Sequence, residues 1–438
     1  MKITETLPNL KILVPYPNSF NSISNTSQII RSLLPTLKEK INVEILWVLY
    51  QPEKVQLNRK NESEITTIDL HNYKNAVDLL EKEKPDMIYV SPYPEFIHYS
   101  FSIAGKFLDI PTINLLYFNS GNTSEISKTK LFISYIKNLF HNSIPNDELN
   151  NKKNLFRRGK YIFFKLSFLV KTLFKVKIPF LKIISDTFYL LKYPFLKRGT
   201  LLPRFALTRH YLQNELILET YLKRNFKRSS LLVTGNPMYD KFFIKNTTSS
   251  ISKKQKIKKN ILIAPDSFYE SGKWTKSQRN EILTKIIQEI KTENDCFNII
   301  VKIHPSSANL NDYKEIVNLI DPTIPIFQQG GIDDYLDQTD LVISYSLRST
   351  GLVYSLIAKK PIIICNFFNE EIGSHIDKNL VLECTSPELL LTTIKNSFLE
   401  NSFSEEKWSN FISKFLYKGD GLSGKRICDD ILQLSNKI

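Results

Sequence analysis

Cysteine is scarce in this chain: four residues in 438, at Cys296, Cys365, Cys384 and Cys428. None has the short spacing of a metal-ligand set, and three fall inside or beside apolar runs. That excludes a disulfide framework and predicts buried, reduced thiols in a cytosolic protein. Long uncharged apolar runs are also missing, which excludes a bilayer-spanning helix. The opening Met1-Lys-Ile-Thr-Glu-Thr carries no apolar core behind its charge, so it does not read as a secretory signal. There is no short-period repeat to suggest a solenoid, and no carboxylate cluster suited to a catalytic metal. What is present is ordinary globular material. Apolar residues make up 42% of the chain, and the length sets an expectation of two domains.

The net charge of +15 is unevenly placed. Residues 151–200 hold thirteen Lys/Arg and one acid, Asp186, so this stretch carries +12 and the rest of the chain +3. Basic residues there are interleaved with Phe, Leu and Ile, as in Tyr161-Ile-Phe-Phe-Lys-Leu-Ser-Phe-Leu-Val-Lys171. That mixture suits a helix lying in a membrane interface, with ammonium groups among anionic headgroups. It does not suggest a nucleic-acid partner. A helical segment whose apolar face is core accounts for the same pattern, and both readings stand.

Strands alternate with helices along most of the chain, which indicates βαβ units and parallel sheets. Strands are expected at Lys11–Pro15, Val43–Tyr50, Asp86–Ser91 and Ile110–Tyr117, then at Leu231–Val233. A second series follows, at Asn260–Pro265, Phe297–Ile303, Ile324–Phe327, Leu341–Ser344 and Pro361–Cys365. Helices are expected near 28–40, 73–83 and 277–292. The fold class is therefore α/β, with two Rossmann-like parallel-sheet domains facing a cleft. The expected boundaries are 1–245 for the N-terminal domain, with a basic-apolar insertion at about 125–200, and 260–415 for the C-terminal domain. A polar linker, Asn246–Lys259, separates them. A helix over 416–438 closes the chain and is expected to return to the N-terminal domain.

Two strand ends carry the clearest chemistry. Val301-Lys-Ile-His304-Pro305 puts an imidazole at a corner whose direction the proline sets. Leu341-Val-Ile-Ser344-Tyr-Ser346-Leu-Arg348-Ser349-Thr350-Gly351 puts three hydroxyls and a guanidinium where a helix begins. Free N–H groups at such a start favour anions, and Gly351 allows close backbone approach. Together they read as a phosphate site. Either alone reads as an idle surface histidine or as serine N-capping. Gly235 and Asn236 form a tight turn before the linker. Ser271 and Gly272 offer a small polar loop to a pyrophosphate. In the first half, Glu95 is the candidate general base, with His98 in reserve. Tyr117, Asn119 and Ser120 are candidates for an acceptor site.

At these residues the chain resembles glycosyltransferases of the GT-B type, nearest the sialyl- and Kdo-transferase-like groups and the CDP-glycerol glycerophosphotransferases. Four segments carry the likeness: Val233-Thr-Gly-Asn-Pro-Met-Tyr-Asp240, the His304-Pro305 pair, Asp334-Tyr-Leu-Asp-Gln-Thr-Asp340-Leu-Val-Ile-Ser-Tyr-Ser346, and Gly419-Asp-Gly421-Leu-Ser-Gly-Lys-Arg426-Ile. The resemblance implies that His304, Ser346, Ser349 and Thr350 contact the donor phosphate. It implies a metal-independent transfer with no cofactor beyond the nucleotide-activated sugar. The acceptor would be a glycan or lipid-linked glycan. The enzyme would be cytoplasmic, peripheral to the inner face of the plasma membrane through 151–200, and would serve capsule or surface-polysaccharide biosynthesis. The chain departs from the pattern at Ser344, where glycerophosphotransferases have Asp. It also lacks the acidic pair that UDP-N-acetylglucosamine 2-epimerases carry after their Ser-Gly-Gly segment. An epimerase-like enzyme, a CDP-glycerol-type transferase and a non-enzymatic membrane-bound scaffold remain as alternatives, and the donor stays open between CMP-, UDP- and CDP-linked groups.

Overall fold

A computed structural model of the chain describes residues 7–16, 25–49, 65–90, 95–116, 153–192, 207–248, 258–270, 272–293, 295–304, 308–347, 349–369, 376, 378–399 and 405–436. The chain divides into two compact units, Met1–Asp240 with Phe415–Ile438, and Lys241–Lys414.

The first unit opens with β1 (Asn9–Tyr16), α1 (Asn25–Lys38), β2 (Asn42–Leu49) and β3 (Ile65–Asp69). Then come α2 (Ala76–Glu83), β4 (Met87–Tyr89), α3 (Phe96–Phe107) and β5 (Thr112–Leu116). Two helices follow, α4 (Lys153–Lys175) and α5 (Phe180–Lys192), before β6 (Arg209–Leu212), α6 (Glu215–Lys223) and β7 (Leu231–Val233). The strands form one sheet in the order β3-β2-β1-β4-β5-β6-β7, every pair parallel.

A parallel sheet must be covered on both faces, because its crossovers place helices there. The period of two along a strand supplies both linings. In β2, Leu46 and Val48 join a core with Val77, Phe101, Phe168 and Ile183 from α2 to α5. Their neighbours Ile45, Trp47 and Leu49 join a core on the other face with Ile30, Leu33 and Leu37 of α1. The last helix of the chain, α13 (Ser423–Leu434), supplies Ile427, Cys428 and Ile431 to that second core. It is tied down where Asp430 accepts from Arg209 Nε at 2.9 Å and from the Tyr211 hydroxyl at 2.8 Å.

α7 (Asp240–Thr248) is helical over residues where the linker was expected to begin. The second unit then runs β8 (Lys259–Ile263), α8 (Lys276–Lys291), β9 (Phe297–Lys302), α9 (Leu310–Ile320), β10 (Ile326–Phe327) and β11 (Leu341–Ser344). It continues with α10 (Thr350–Ile357), β12 (Ile362–Cys365), β13 (Leu382–Cys384), α11 (Leu390–Leu399) and α12 (Glu405–Phe415). Its sheet is again wholly parallel, in the order β10-β9-β8-β11-β12-β13. α8 starts in a capping box, Thr275 with Gln278. Its expected apolar face, Ile282, Leu283, Ile286, Ile287 and Ile290, is entirely withdrawn from water. Cys365, Cys384 and Cys428 are buried thiols, and Cys296 is exposed.

Helices α4 and α5 answer the question left open by their composition by face. Phe168, Leu169, Leu173, Ile183 and Leu190 are core. Phe163, Phe174, Phe180, Leu181, Ile184 and Phe188 are exposed, Leu181 to 80% and Phe163 to 72%. None of the described helices is long and apolar enough to cross a membrane. The two faces should separate cleanly in a urea titration. Leu169→Ala leaves a cavity and should cost about 2–5 kcal/mol. Phe180→Ser removes an exposed ring and should change stability by no more than about 0.5 kcal/mol.

Candidate functional site

Counted from its own first strand, the second sheet has the order 3-2-1-4-5-6, so β8 and β11 lie side by side while their connections depart in opposite directions. In an open α/β sheet the ligand crevice forms at that switch point, outside the carboxyl ends. The segments leaving the sheet there are the ones whose residue types suggested chemistry. Asp266 follows β8, Ser346 follows β11, and His304 follows β9 on the other side of β8.

Hydrogen bonds join the two sides of the switch point. The Ser344 hydroxyl donates to the Ala264 carbonyl at 2.9 Å. The buried Ser346 hydroxyl donates to the Asp266 carboxylate. His304 is exposed at the strand end. Loss of hydration lowers its imidazole pKa, the Asp266 carboxylate pulls it back up, and Lys302 pushes it down again. The net direction is down, so the ring is neutral near pH 7 and offers one N–H donor. Lys302 itself points inward and donates to the carbonyls of Ile303 at 2.8 Å and Gln328 at 3.0 Å, which fixes the end of β9 against β10.

The loop that carries Asp266 is anchored by a buried cation. The Arg279 guanidinium lies between the rings of Tyr269, at 4.5 Å, and Tyr313, at 4.8 Å. Tyr313 donates to Glu270 at 3.1 Å. Three polar atoms of this region have no hydrogen-bond partner among the described residues: Glu270 Oε2, Trp274 Nε1 and the Tyr345 hydroxyl. Gly272 has a φ of +73° and open space where a Cβ would stand. The loop can thus present carboxylates and backbone to a ligand without rearranging its base.

Ser349 is the N-cap residue of α10, with no capping bond from its side chain. Thr350 begins that helix. Gly351 serves packing rather than ligand approach, because a Cβ there would come within 2.9 Å of Ile332. Ser271, Pro305, Arg348, Tyr117, Asn119 and Ser120 lie outside the described residues. Asp266 and Glu270 stand beside the Ser-Gly pair that the sequence points to, and their own signal is a carboxylate just past a buried strand. No group of three or more metal-ligating side chains occurs among the described residues.

In the first unit Glu95 caps α3, accepting from the N–H groups of Ile97 at 2.7 Å and His98 at 3.1 Å. Lys165 of α4 lies 2.8 Å from the same carboxylate. Burial, the largest influence, would raise the Glu95 pKa, but Lys165 and His98 together hold the group below the ordinary range. Burial also pushes His98 down to about 4. The Glu95 carboxylate thus holds two hydrogen bonds and an ion pair.

Gly235 and Asn236 sit in a joint between the two ends of the first unit. Gly235 has a φ of +86°, and a Cβ there would stand 2.4 Å from Ser423 Oγ. Thr234 O accepts from Arg426 at 2.9 Å, and Asp240 accepts from the N–H groups of Gly424 at 2.7 Å and Ser423 at 3.2 Å. Asn236 caps the turn Pro237–Tyr239 through Met238 N at 3.0 Å. The 233–240 and 419–427 segments therefore lock each other, with Asp240 supplying the N-terminal acceptor that α13 lacks locally.

No protein-family model matches the chain, and no curated protein matches it. Solved structures do. The wall teichoic acid polymerase TagF is similar with a TM-score of 0.54 at 13% identity, covering 98% of this chain and 90% of that one. The UDP-GlcNAc 2-epimerase of Neisseria meningitidis, bound to UDP-GlcNAc, is similar with a TM-score of 0.51 at 14% identity, covering 97% and 100%. At these identities the likeness establishes the fold, which is GT-B, with parallel sheets of seven and six strands.

Gly235→Ala adds a methyl group at a left-handed backbone position already closed by Ser423. It should lower stability by about 1–3 kcal/mol, read as a fall in Tm. Gly272→Ala has open space and should cost less.

Proposed function

We propose that this protein is a nucleotide-sugar-dependent glycosyltransferase of surface polysaccharide or glycan biosynthesis. The observation that carries the reading is the Asp266–Ser346 bond across the β8/β11 switch point, with His304 standing on the adjacent strand end. In this reading the nucleotide's phosphates lie over the carboxyl edge of the second sheet. The neutral His304 ring donates to a phosphate oxygen. The open N–H groups at the start of α10 face the same charge. As the acceptor hydroxyl oxygen bonds to the anomeric carbon and releases its proton to solvent, the bond from that carbon to the phosphate oxygen breaks and negative charge gathers on the leaving nucleotide. Fixed donors aimed there lower the barrier. Asp266 acts through Ser346 and His304 as a positioning residue. Glu95 holds α3 and α4 of the acceptor unit together.

A bound polyanion stabilises the imidazolium form, so nucleotide binding should raise the His304 pKa and take up protons near neutral pH. Calorimetry in two buffers of different ionisation enthalpy reads that uptake, and His304→Ala should abolish it. The same variant should keep its Tm and lose about a hundredfold or more in turnover. Wild-type transfer by His304→Ala refutes the assignment. A thermal-shift panel of CMP, CDP, UDP and GDP identifies the nucleotide.

The epimerase-like reading shares this fold and predicts turnover of UDP-N-acetylglucosamine with no acceptor present. A transferase leaves the sugar's configuration unchanged under those conditions. A CDP-glycerol-type transferase predicts a response to CDP alone in the panel.

The exposed apolar faces of α4 and α5, set in a segment of net charge +12, support a seat on an anionic membrane surface. Phe180, Ile184 and Phe188 recur every four residues, so they form one outward stripe on α5. Sedimentation with phosphatidylglycerol-containing vesicles should capture the protein at low salt and release it as salt rises. Equal capture by neutral vesicles would count against this seat.

A further inference from the structure

We propose that a pocket between residues 71–74 and α4 is a binding site for the phosphate headgroup of an anionic bilayer lipid, and that it orients the apolar faces of α4 and α5 in the membrane. The proposal rests on the membrane-surface reading above and adds a defined site to it.

The pocket lies at the carboxyl edge of the first sheet, just past β3. Its volume of about 280 Å³ equals that of roughly nine waters, which suits a phosphate with its glycerol. One wall is held by hydrogen bonds and ring packing. Asp69 caps the turn Leu70–Asn72 and takes the Nδ1 side of His71 at 2.9 Å. The Phe164 ring packs on that imidazole at 4.6 Å between centroids. Phe168 and Ser167 complete the wall contributed by α4. The rim holds two cations, Lys74 and Lys171. Neither ammonium lies within ion-pair distance of a carboxylate among the described residues, although Lys74 is near enough to Asp78 to help hold that carboxyl pKa down.

Helix geometry links this pocket to the exposed apolar stripe. At about 100° per residue, Phe163 and Phe174 point only about 20° apart. Ser167, Lys171 and Phe164 follow at about 40°, 80° and 100° around from Phe163. Phe168 lies at about 140°, so the pocket lining is centred roughly a quarter turn around α4 from the two exposed phenyl rings. Cations beside outward phenyl rings match the boundary where acyl chains meet phosphates. A free phosphate would need the lysines and not the rings, so the bilayer is the favoured source.

The test compares two double variants of equal charge. Lys74→Ala with Lys171→Ala empties the pocket rim. Lys175→Ala with Lys177→Ala removes two exposed lysines from the same region. Binding is measured by flotation with phosphatidylcholine vesicles containing about 20 mol % phosphatidylglycerol, alongside pure phosphatidylcholine. The pocket pair should weaken binding about tenfold or more, and the other pair less than about threefold. Equal weakening overturns the pocket and leaves the membrane seat intact. Failure of the unaltered protein to bind the anionic vesicles overturns both. A rise in Tm with inorganic phosphate alone, lost only in the pocket pair while both pairs bind vesicles alike, overturns the lipid as occupant. Circular dichroism melts confirm that all four exposed positions leave the fold unchanged.

Discussion

The hydrogen bond from Ser346 to Asp266 is the constraint on which the candidate site depends. It joins the two strands whose connections part in opposite directions, at the one place in the second sheet where the layer of helices opens. Both partners are held from below. Ser344 grips the Ala264 carbonyl, and the Arg279 stack fixes the loop that begins at Asp266. The carboxylate is therefore a fixed charge beside His304. Its pull partly offsets the loss of hydration that leaves that imidazole neutral. On the proposed function, a neutral ring offers a donor to an arriving phosphate and then accepts a proton as the complex forms. That behaviour needs the three strand ends together, since no one of them produces it alone.

The segments that resemble glycosyltransferases divide into two physical kinds. The Ser346 segment is tied to the end of β8 by its bond to Asp266, and the charge of Asp266 reaches His304 at the end of β9. The Gly235–Asp240 and Gly419–Arg426 segments hold each other, because a glycine at positive φ lets Ser423 approach and a carboxylate caps the helix that follows. They lie far apart in sequence, and their contacts are with each other. Motif likeness alone does not separate these kinds, since both need small residues and both tolerate little change.

Helices α4 and α5 show how one composition serves two solvents. Their inward residues close the first core. Their outward residues include six large apolar side chains, set among lysines. A charged solvent-facing surface would be expected of helices that only cover a sheet. The surplus apolar area marks a face that is incomplete in water.

Much of this was legible in the sequence. Apolar runs that end in polar clusters marked β1, β2, β4, β5, β8, β9 and β11, because a buried parallel strand must be apolar throughout and must stop where ligands or solvent begin. The apolar period of α8 placed all five of its core positions. Less was legible where local pattern and environment part company. β3, β6 and β13 were not distinguished, since Ile65-Thr-Thr-Ile-Asp69 and Arg209-His-Tyr-Leu212 mix polar with apolar residues and join the sheet only because strands already formed offer them partners. Glu95 shows a similar limit. A carboxylate before a helix reads alike as base or cap, and its ion pair with Lys165, 70 residues further along the chain, has no local signal. What the sequence determined by itself is the periodicity of its elements and the chemical types at their ends. Which ends meet, which carboxylate is held by a cation and which apolar face stays uncovered were settled by tertiary structure, because those are contacts between residues far apart in the chain, and no local pattern encodes distance across space.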